Sequence, residues 1–216
     1  MMITKEKKIE LLNILNTQKL FGIEHINHFD LGVEQTNKNQ LPMEINELSS
    51  YVDNCSLCEL SKSKIASSFA MGDVNSKIFL ISLRNSFRGE KGFSNIKDMV
   101  ENGLNVNIND IYMTNILKCD VQKSKSILDS EVKKCLIYLE QQINILKPEL
   151  IITFGEAFKY LMKNNDEIID VSGNVYIYKN IKLIPLLEFD FIHKNPSYKD
   201  KMIRDIIKIK NIMDKK

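Results

Sequence analysis

The stretch Asp110-Ile-Tyr-Met-Thr-Asn-Ile-Leu-Lys-Cys119 joins an apolar segment to a thiol. Its apolar part, residues 111–117, carries one amide side chain, Asn115. A short and nearly continuous apolar run is typical of a strand that is buried inside a parallel sheet. In such sheets, ligands bind at the carboxyl ends of the strands. We therefore predict a buried strand here, with Asn115 at the end where ligands bind.

The four cysteines of the chain form a second pattern around this stretch. Cys55 and Cys58 make a C-x-x-C pair, and fifteen residues separate Cys119 from Cys135. Four thiolates are the number that closes one tetrahedral site, either for zinc or for an iron–sulfur cluster. The sequence starts without a signal segment, which predicts a cytoplasmic protein, and structural disulfides are rare in that compartment. A metal site is the favoured interpretation, with unrelated buried thiols as the alternative.

Strand and helix patterns alternate on both sides of the opening stretch. The predicted strands are residues 78–81, 111–117, 150–154, 175–178 and 181–187. The predicted helices are residues 94–100, 129–146, 155–162 and 198–213, with Asp129 or Ser130 as the N-cap of the second. This order predicts an α/β fold with a mostly parallel sheet and helices on both faces.

The first 43 residues differ from the rest of the chain. Residues 5–20 have the spacing of an amphipathic helix, and a polar segment that ends at Pro42 follows it. We predict an appended helical arm and linker over residues 1–43 and one α/β domain over residues 44–216, which opens with a helix over 44–52.

Composition limits the function only loosely. The 216 residues are 44% hydrophobic, which is enough for a proper core, and no apolar run approaches the length of a membrane span. The net charge of +2 is compatible with a nucleic-acid partner without requiring one. The lysines of the last helix alternate with isoleucines, which indicates an amphipathic helix packed on its sheet. No phosphate loop, Ser-His-Asp set or dinucleotide fingerprint is present in the sequence.

Several motifs together resemble the family 4 (iron–sulfur) uracil-DNA glycosylases over roughly residues 51–210. In chain order they are the C-x-x-C pair, Tyr112-x-Thr114-Asn115-x-x-Lys118-Cys119, Cys135 with Tyr138-Leu-x-x-Gln-Ile, and Lys147-Pro148-x-x-Ile-Ile-x-x-Phe-Gly155. The resemblance implies a three-layer α/β/α sandwich with a 4Fe-4S cluster on Cys55, Cys58, Cys119 and Cys135. It also implies iron rather than zinc at that site.

The catalytic motifs of the family are degenerate in this chain. A Gly-Glu-Ala-Pro-Gly loop positions the catalytic water in the family, and the matching residues 82–86 place Leu83 where the carboxylate belongs and Asn85 close by. A leucine can neither orient nor deprotonate a water. The aromatic residue that stacks on uracil in the family is matched by Phe93.

The third motif differs as well. The family's strand ends in a His-Pro whose imidazole donates to the uracil oxygen that becomes negative, and Glu188 stands at that place. A carboxylate repels a developing oxyanion, although a protonated Glu188 with a strongly raised pKa could still donate. His193, five residues later, would substitute for the histidine only if the strand end were shifted.

Two elements of DNA recognition remain in the pattern. The resemblance implies that Asn115 reads the Watson–Crick edge of uracil, and the alternative is that it only caps the strand and ties down the loop beside the cluster. The basic loop that faces DNA phosphates in the family is matched by residues 120–125, where Lys123 and Lys125 are candidates for backbone contacts and a solvated loop is the alternative.

Two functions are consistent with this pattern. The first is a divergent DNA N-glycosylase of base-excision repair, with Asn85 and Glu188 as the catalytic candidates. The second is a non-catalytic module, stabilised by the cluster, that binds DNA or another protein. The expected partner is DNA, single-stranded or containing uracil. We expect a monomer that is not bound to a membrane, with the arm of residues 1–43 available for a protein partner.

Overall fold

A computed structural model describes residues 41–214 of the chain. The predicted helix over residues 5–20 and nearly all of the predicted arm lie outside the described residues. Within the described part, helices α1 to α7 are Ile45–Asp53, Glu90–Asp98, Asp129–Leu146, Ala157–Met162, Ile168–Val171, Phe189–Lys194 and Lys199–Met213. Strands β1 to β8 are Ala66–Ser67, Ala70–Gly72, Ile78–Ser82, Tyr112–Asn115, Cys119–Asp120, Leu150–Phe154, Tyr176–Tyr178 and Ile181–Leu186.

Six strands form the central sheet in the order β2-β4-β3-β6-β8-β7. The four inner strands are parallel to one another, and the two outer strands, β2 and β7, pair antiparallel to their neighbours. The inner strands begin where the apolar runs predict them. All four therefore point their carboxyl ends to the same edge of the sheet.

Successive residues of these strands enter two different cores, because side chains alternate between the faces of a sheet. Phe79 and Ile81 pack with α1, α3 and α4 in a first core, whereas Leu80 packs with α2 and α7 in a second. Phe79, Leu80 and Ile81 are all fully buried. The result is a three-layer α/β/α sandwich with a mostly parallel sheet, as predicted.

The opening stretch forms a shorter strand than predicted. β4 ends at Asn115, because the side-chain amide of Asn115 donates to the carbonyl oxygen of Leu117 and turns the chain. Cys119 and Asp120 then pair with Ser67 and Ala66 in a separate two-stranded ribbon, β1 and β5.

Two predicted helix ends were wrong. α2 begins at Glu90 rather than at residue 94, and six residues of wider π-helical turn, Met99–Leu104, extend it. The N-cap of α3 is Leu128 rather than Asp129 or Ser130. The Glu131 carboxylate accepts the Leu128 N–H at 2.9 Å, and the Asp129 carboxylate instead accepts the Tyr160 hydroxyl at 2.6 Å.

The last helix packs on the second core, as its pattern predicts. Met202 and Ile209 are buried, and the buried Asp205 accepts hydrogen bonds from Ser172 Oγ at 2.8 Å and Lys201 Nζ at 2.9 Å. Gly173 has a φ of +80°, and a Cβ atom there would lie 2.2 Å from Asp205 Oδ1. A glycine at this position lets the helix approach the sheet closely. Within residues 41–214, no helix is long and apolar enough to cross a membrane.

Candidate functional site

The carboxyl ends of β3 and β4 are joined by backbone hydrogen bonds beyond the strands themselves. The N–H groups of Ile116 and Leu117 donate to the carbonyl oxygens of Ser82 and Leu83 at 2.9 and 3.0 Å. The Leu83 side chain packs against the first core. Asn85 lies half-buried in the turn that follows. Leu83, which the motif order aligns with the family's carboxylate, is therefore an apolar side chain packed on the core.

The four cysteines come from three separate segments that meet at one side of this strand end. Cys55 and Cys58 follow α1, Cys119 lies on β5, and Cys135 lies on α3. All four are free thiols, and Cys135 is buried while the others are half-buried. The Tyr138 hydroxyl donates to Cys55 Sγ at 3.1 Å, and the Lys118 N–H donates to Cys135 Sγ at 3.2 Å. Two sulfur atoms thus already receive hydrogen bonds from the protein.

The thiols are close enough to affect one another's ionisation. Burial raises the pKa of Cys135 to about 11, and the thiols of Cys119 and Cys55 add to that shift. Burial also raises the pKa of Cys119, where the nearby Lys64 ammonium opposes the shift and Cys55 and Cys58 add to it. Even so, within residues 41–214 no three side chains of His, Cys, Asp or Glu converge closely enough to hold one metal ion. The four thiols therefore form one neighbourhood rather than a closed single-ion site.

Lys118 is a functional candidate that the residue pattern did not single out. Its side chain is only 1% exposed. Its ammonium donates to Thr114 Oγ1 at 2.7 Å, to the Asn115 carbonyl oxygen at 2.7 Å, to Gln142 Oε1 at 2.5 Å and to the Phe69 carbonyl oxygen at 3.3 Å. Burial lowers its pKa to about 7, and Cys135 partly opposes this. Lys118 connects the end of β4 to α3 and to the cysteine region.

The Asn115 amide is engaged within the protein. The side chain is 2% exposed, and its Oδ1 accepts from Ser68 Oγ at 3.1 Å. Its Nδ2 donates to the Leu117 carbonyl oxygen and, at 3.4 Å, to the Ser68 carbonyl oxygen. These contacts agree with the alternative interpretation, in which Asn115 holds the loop beside the cysteines in place. Recognition of a base by Asn115 stays a prediction.

Phe93 lies on another part of the molecule. It lines a cavity of about 470 Å³ on the second-core side of the outer strand β2, together with Met71, Asn109 and Met113. Asn115 is not among the residues that line this cavity. This cavity therefore contains Phe93 without Asn115.

Glu188 lies at the carboxyl ends of β6 and β8, immediately before α6. Its side chain rests on Gly155, where a Cβ atom would lie 2.6 Å from Glu188 Cγ and 3.0 Å from its Oε1. Burial raises the pKa of Glu188 to about 7, and the carboxylates of Asp190 and Glu156 contribute. Glu188 is therefore a carboxyl group that is substantially protonated near neutral pH.

His193 does not take the place of the missing histidine. β8 ends at Leu186, and His193 lies seven residues later in the last turn of α6. Its Nε2 is 3.4 Å from Asn95 Nδ2 on α2. The strand end is not shifted, so Glu188 keeps the position that the pattern assigns to it.

Lys123 and Lys125 lie on an exposed loop between β5 and α3. The guanidinium of Arg84, which follows β3, donates to the Lys125 carbonyl oxygen. Arg88 Nη1 lies 3.3 Å from Asp120 Oδ2. The sequence did not indicate that the two arginines lie beside the loop of the two lysines, because the fold alone brings these segments together.

The sequence model of the uracil DNA glycosylase superfamily matches residues 69–207. The chain belongs to this superfamily. Its matched segment includes the β4 end, Lys118, two of the cysteines and Glu188. Cys55 and Cys58 lie before the matched residues.

Individual characterised proteins are similar to the chain over part of their length. The type-4 uracil-DNA glycosylase of Sulfurisphaera tokodaii is 26% identical over 127 residues, or 54% of this chain and 57% of that protein. That of Pyrobaculum aerophilum is 28% identical over 148 residues, or 62% of this chain and 74% of that protein. A DNA polymerase of Bacillus phage SP01 is 27% identical over 108 residues, or 50% of this chain and 12% of that protein. The chain thus spans about half the length of the Sulfurisphaera protein and a small part of the polymerase.

Proposed function

We propose that residues 44–216 form a uracil-DNA-glycosylase-like domain that binds DNA and carries a 4Fe-4S cluster on Cys55, Cys58, Cys119 and Cys135. The observation that carries this proposal is an asymmetry at the strand ends. Leu83 replaces the family's carboxylate and packs into the core, whereas four thiols from three segments remain together. The similarity to type-4 glycosylases and to a segment of a phage DNA polymerase supports DNA as the ligand.

The donors around the thiols support a group that binds thiolates. Tyr138 and the Lys118 N–H already donate to sulfur, and the Lys64 ammonium favours the thiolate of Cys119. Hydrogen bonds and positive charge of this kind stabilise ligating thiolates. The thiols of Cys55, Cys58, Cys119 and Cys135 also influence one another's pKa values, which agrees with four ligands of one group. When bound, the cluster would supply folding free energy, since its ligands come from distant segments.

The cluster is tested with Cys119→Ser. We expect this variant to lose the brown colour and the iron and sulfide of the purified protein, together with most of the soluble yield, because one of four ligands is gone. Ser56→Ala, between the ligands Cys55 and Cys58, is the control that removes no thiol, and it should keep the colour, the iron and sulfide content and the soluble yield. A colourless wild-type protein after anaerobic purification, or a fully folded Cys119→Ser variant with an unchanged metal content, would contradict the assignment.

DNA binding is tested directly with a fluorescent single-stranded oligonucleotide, with and without uracil. We expect binding that weakens steeply as salt increases, because phosphate contacts release counterions. Absent or salt-independent binding would overturn the proposal and leave a protein-interaction module, with residues 1–43 as the proposed docking segment. Gel filtration with light scattering tests the expectation that the protein is a monomer.

Catalysis by Glu188 is a second candidate function, supported by one observation. Glu188 stands where the family places its oxyanion donor, and its pKa is raised to about 7. A protonated carboxyl group in such a position donates a hydrogen bond, as the family's histidine does. Asn85 would be the remaining polar group near the lost carboxylate.

This candidate predicts a distinct pH dependence. In single-turnover reactions on uracil-containing DNA with excess protein, we expect the excision rate to fall as pH rises through about 7, because the donor deprotonates there. Glu188→Gln keeps a donor at every pH and should flatten the profile, whereas Glu188→Ala should abolish excision. If the wild type binds DNA but excises nothing at any pH, the domain is a binding module alone.

A further inference from the structure

Basic side chains from four segments surround the cysteine region. Each of these side chains is exposed or partly exposed. We call the set the basic surface: Lys62, Lys64, Arg84, Arg88, Lys123, Lys125 and Lys134. The segments are the turn after Cys58, the loop after β3, the loop between β5 and α3, and the first half of α3. The residue pattern singled out only Lys123 and Lys125.

Hydrogen bonds and charge interactions join these segments into one surface. The pairing of β1 with β5 sets residues 65–67 beside residues 119–120, and the Ile65 N–H donates to the Asp120 carbonyl oxygen at 2.8 Å. Arg84 reaches the Lys125 carbonyl oxygen, and Arg88 reaches the Asp120 carboxylate. On the other side, Lys62, Lys125 and Lys134 all interact electrostatically with Glu59. The loop after β3 and the cysteine turn are thereby linked through residues 119–125.

The acidic groups within this surface leave it positive. Glu59 pairs with Lys62 at 2.9 Å, and Asp120 pairs with Arg88 at 3.3 Å. Both pairs are largely exposed, and exposed ion pairs are weak because water screens them. A guanidinium also has five N–H donors, so Arg88 can bind a phosphate while it still contacts Asp120. Of the seven basic side chains, only Lys62 and Arg88 form an ion pair within residues 41–214, and Lys125 and Lys134 share the single carboxylate of Glu59 with Lys62. The surface therefore keeps an excess of positive charge that suits a polyanion.

Two apolar side chains stand exposed among these charges. Ile65 is 69% exposed beside Lys64, and Leu57 is 46% exposed within the C-x-x-C turn. Proteins that bind single strands combine a positive groove with side chains that contact base faces, most often aromatic ones. An exposed aliphatic side chain offers a base face an apolar contact that removes both from water. A single strand presents its base faces without the cost of unstacking a duplex. The pairing of charge with exposed apolar groups therefore favours single-stranded DNA.

We propose that the basic surface is a track for the phosphate backbone of single-stranded DNA, with Arg84 and Arg88 as phosphate contacts and Ile65 and Leu57 as base contacts. The inference rests on the proposed DNA-binding function and adds where the strand lies. Arg84 is two residues beyond the end of β3, so the track starts at the strand ends and crosses the cysteine face. The loop that positions a water in the family carries phosphate-binding arginines in this chain.

The track is tested by binding of a fluorescent dT oligonucleotide at several salt concentrations. Arg88→Gln/Lys123→Gln removes two charges from the track, and both side chains lie outside the core. We expect the slope of log K against log salt to become shallower by about 1.4, which is about 0.7 per phosphate contact, and affinity at 0.1 M salt to fall on the order of 10-fold. Ile65→Ser should weaken binding without a change in slope, because it removes no charge.

The matched control is Lys199→Gln/Arg204→Gln, which makes the same change in net charge on α7, a helix that packs on the other core. It should leave slope and affinity unchanged. If the wild type binds and the track variant keeps the wild-type slope, or if the control loses as much slope as the track variant, the track is overturned while DNA binding stands. If the wild type binds no DNA at all, both the track and the proposed function are overturned.

Discussion

A threonine lies near the end of both β4 and β6, but within residues 41–214 only the one in β4 has hydrogen-bond partners for its hydroxyl. Thr114 and Thr153 are both buried, at 1% and 0% exposure. The Thr114 hydroxyl donates to the Phe69 carbonyl oxygen at 2.8 Å and accepts from Lys118 at 2.7 Å. The Thr153 hydroxyl has no hydrogen-bond partner among the described residues.

The charged groups at the two ends differ in the same way. Lys118, at the β4 end, meets four oxygen acceptors. Glu188, at the β6 end, meets the like charges of Glu156 and Asp190. A fully satisfied buried network makes a region rigid, whereas unpaired polar groups cost stability and concentrate at functional sites. The comparison teaches that the β4 end is built to hold the cysteine region, whereas the β6 end carries an unpaired buried hydroxyl and a carboxyl group that faces like charges.

The largest effect on stability should come from removing the Lys118 ammonium at the end of β4. Lys118→Met removes the ammonium, so that Thr114 Oγ1 and the Asn115 carbonyl oxygen lose this donor and Gln142 Oε1 keeps only the Thr114 hydroxyl at 3.2 Å. We expect the free energy of unfolding to fall by about 3–5 kcal/mol, measured by urea denaturation. Lys133→Met, an exposed position on α3, is the control and should change it by about 0.5 kcal/mol or less. An equal effect of the two variants would show that the Lys118 network adds no stability.

A smaller effect on stability should come from the raised pKa of Glu188 at the end of β6. Because the pKa of Glu188 is raised from 4.5 to about 7 in the folded protein, the folded state holds a proton that the unfolded state releases between those values. The free energy of unfolding should therefore fall as pH rises from about 4.5 to about 7 and then level off, by on the order of 2 kcal/mol.

The variant Glu188→Gln should remove this pH dependence and be more stable than the wild type at pH 8. Urea titrations at a series of pH values measure both. Glu167→Gln, an exposed carboxyl outside this cluster, should retain the wild-type profile. A wild-type profile in Glu188→Gln as well would mean that other groups cause the dependence.

The smallest effects should come from the threonine pair. Thr153→Val keeps the shape of the side chain and removes an unpaired hydroxyl, so we expect a gain of about 1 kcal/mol in unfolding free energy. Thr114→Val removes a hydroxyl with partners and should cost about 1–2 kcal/mol. The opposite signs of two identical substitutions, measured side by side, sharpen the comparison. If both variants lost the same unfolding free energy, the two threonines would not differ in the way described.

Local patterns in the sequence were enough for most of the fold. The apolar runs over 78–81 and 150–154 predicted β3 and β6 to within one residue, because an inner strand of a parallel sheet is apolar on both faces. The 18-residue helix Asp129–Leu146 was predicted with its observed bounds, its end by Pro148, although its N-cap residue was not. The antiparallel strand β2, the ribbon of β1 with β5 and the helix α6 were not predicted, because they are short and carry no periodicity.

The candidate site was predicted only as a set of residues. The cysteines, Asn115, Phe93 and Glu188 could be named from motif order alone. The hydrogen bonds of these side chains could not be predicted, since Asn115 bonds to Ser68, which lies 47 residues away in the chain. In the same way, the contact between Arg84 and Lys125 spans 41 residues and has no local signal.

The sequence by itself determined where along the chain the hydrophobic runs lie, that four thiols are present, and that an apolar Leu83 follows the first inner strand. These properties depend on residue type and short spacing, which the chain carries before it folds. Only the tertiary structure decided that the Asn115 amide is occupied, that Lys118 is buried among acceptors, that Phe93 faces another cavity and that Glu188 rests on Gly155 with a raised pKa. Hydrogen-bond satisfaction and pKa depend on which groups approach from distant segments, and that approach exists only in the folded chain.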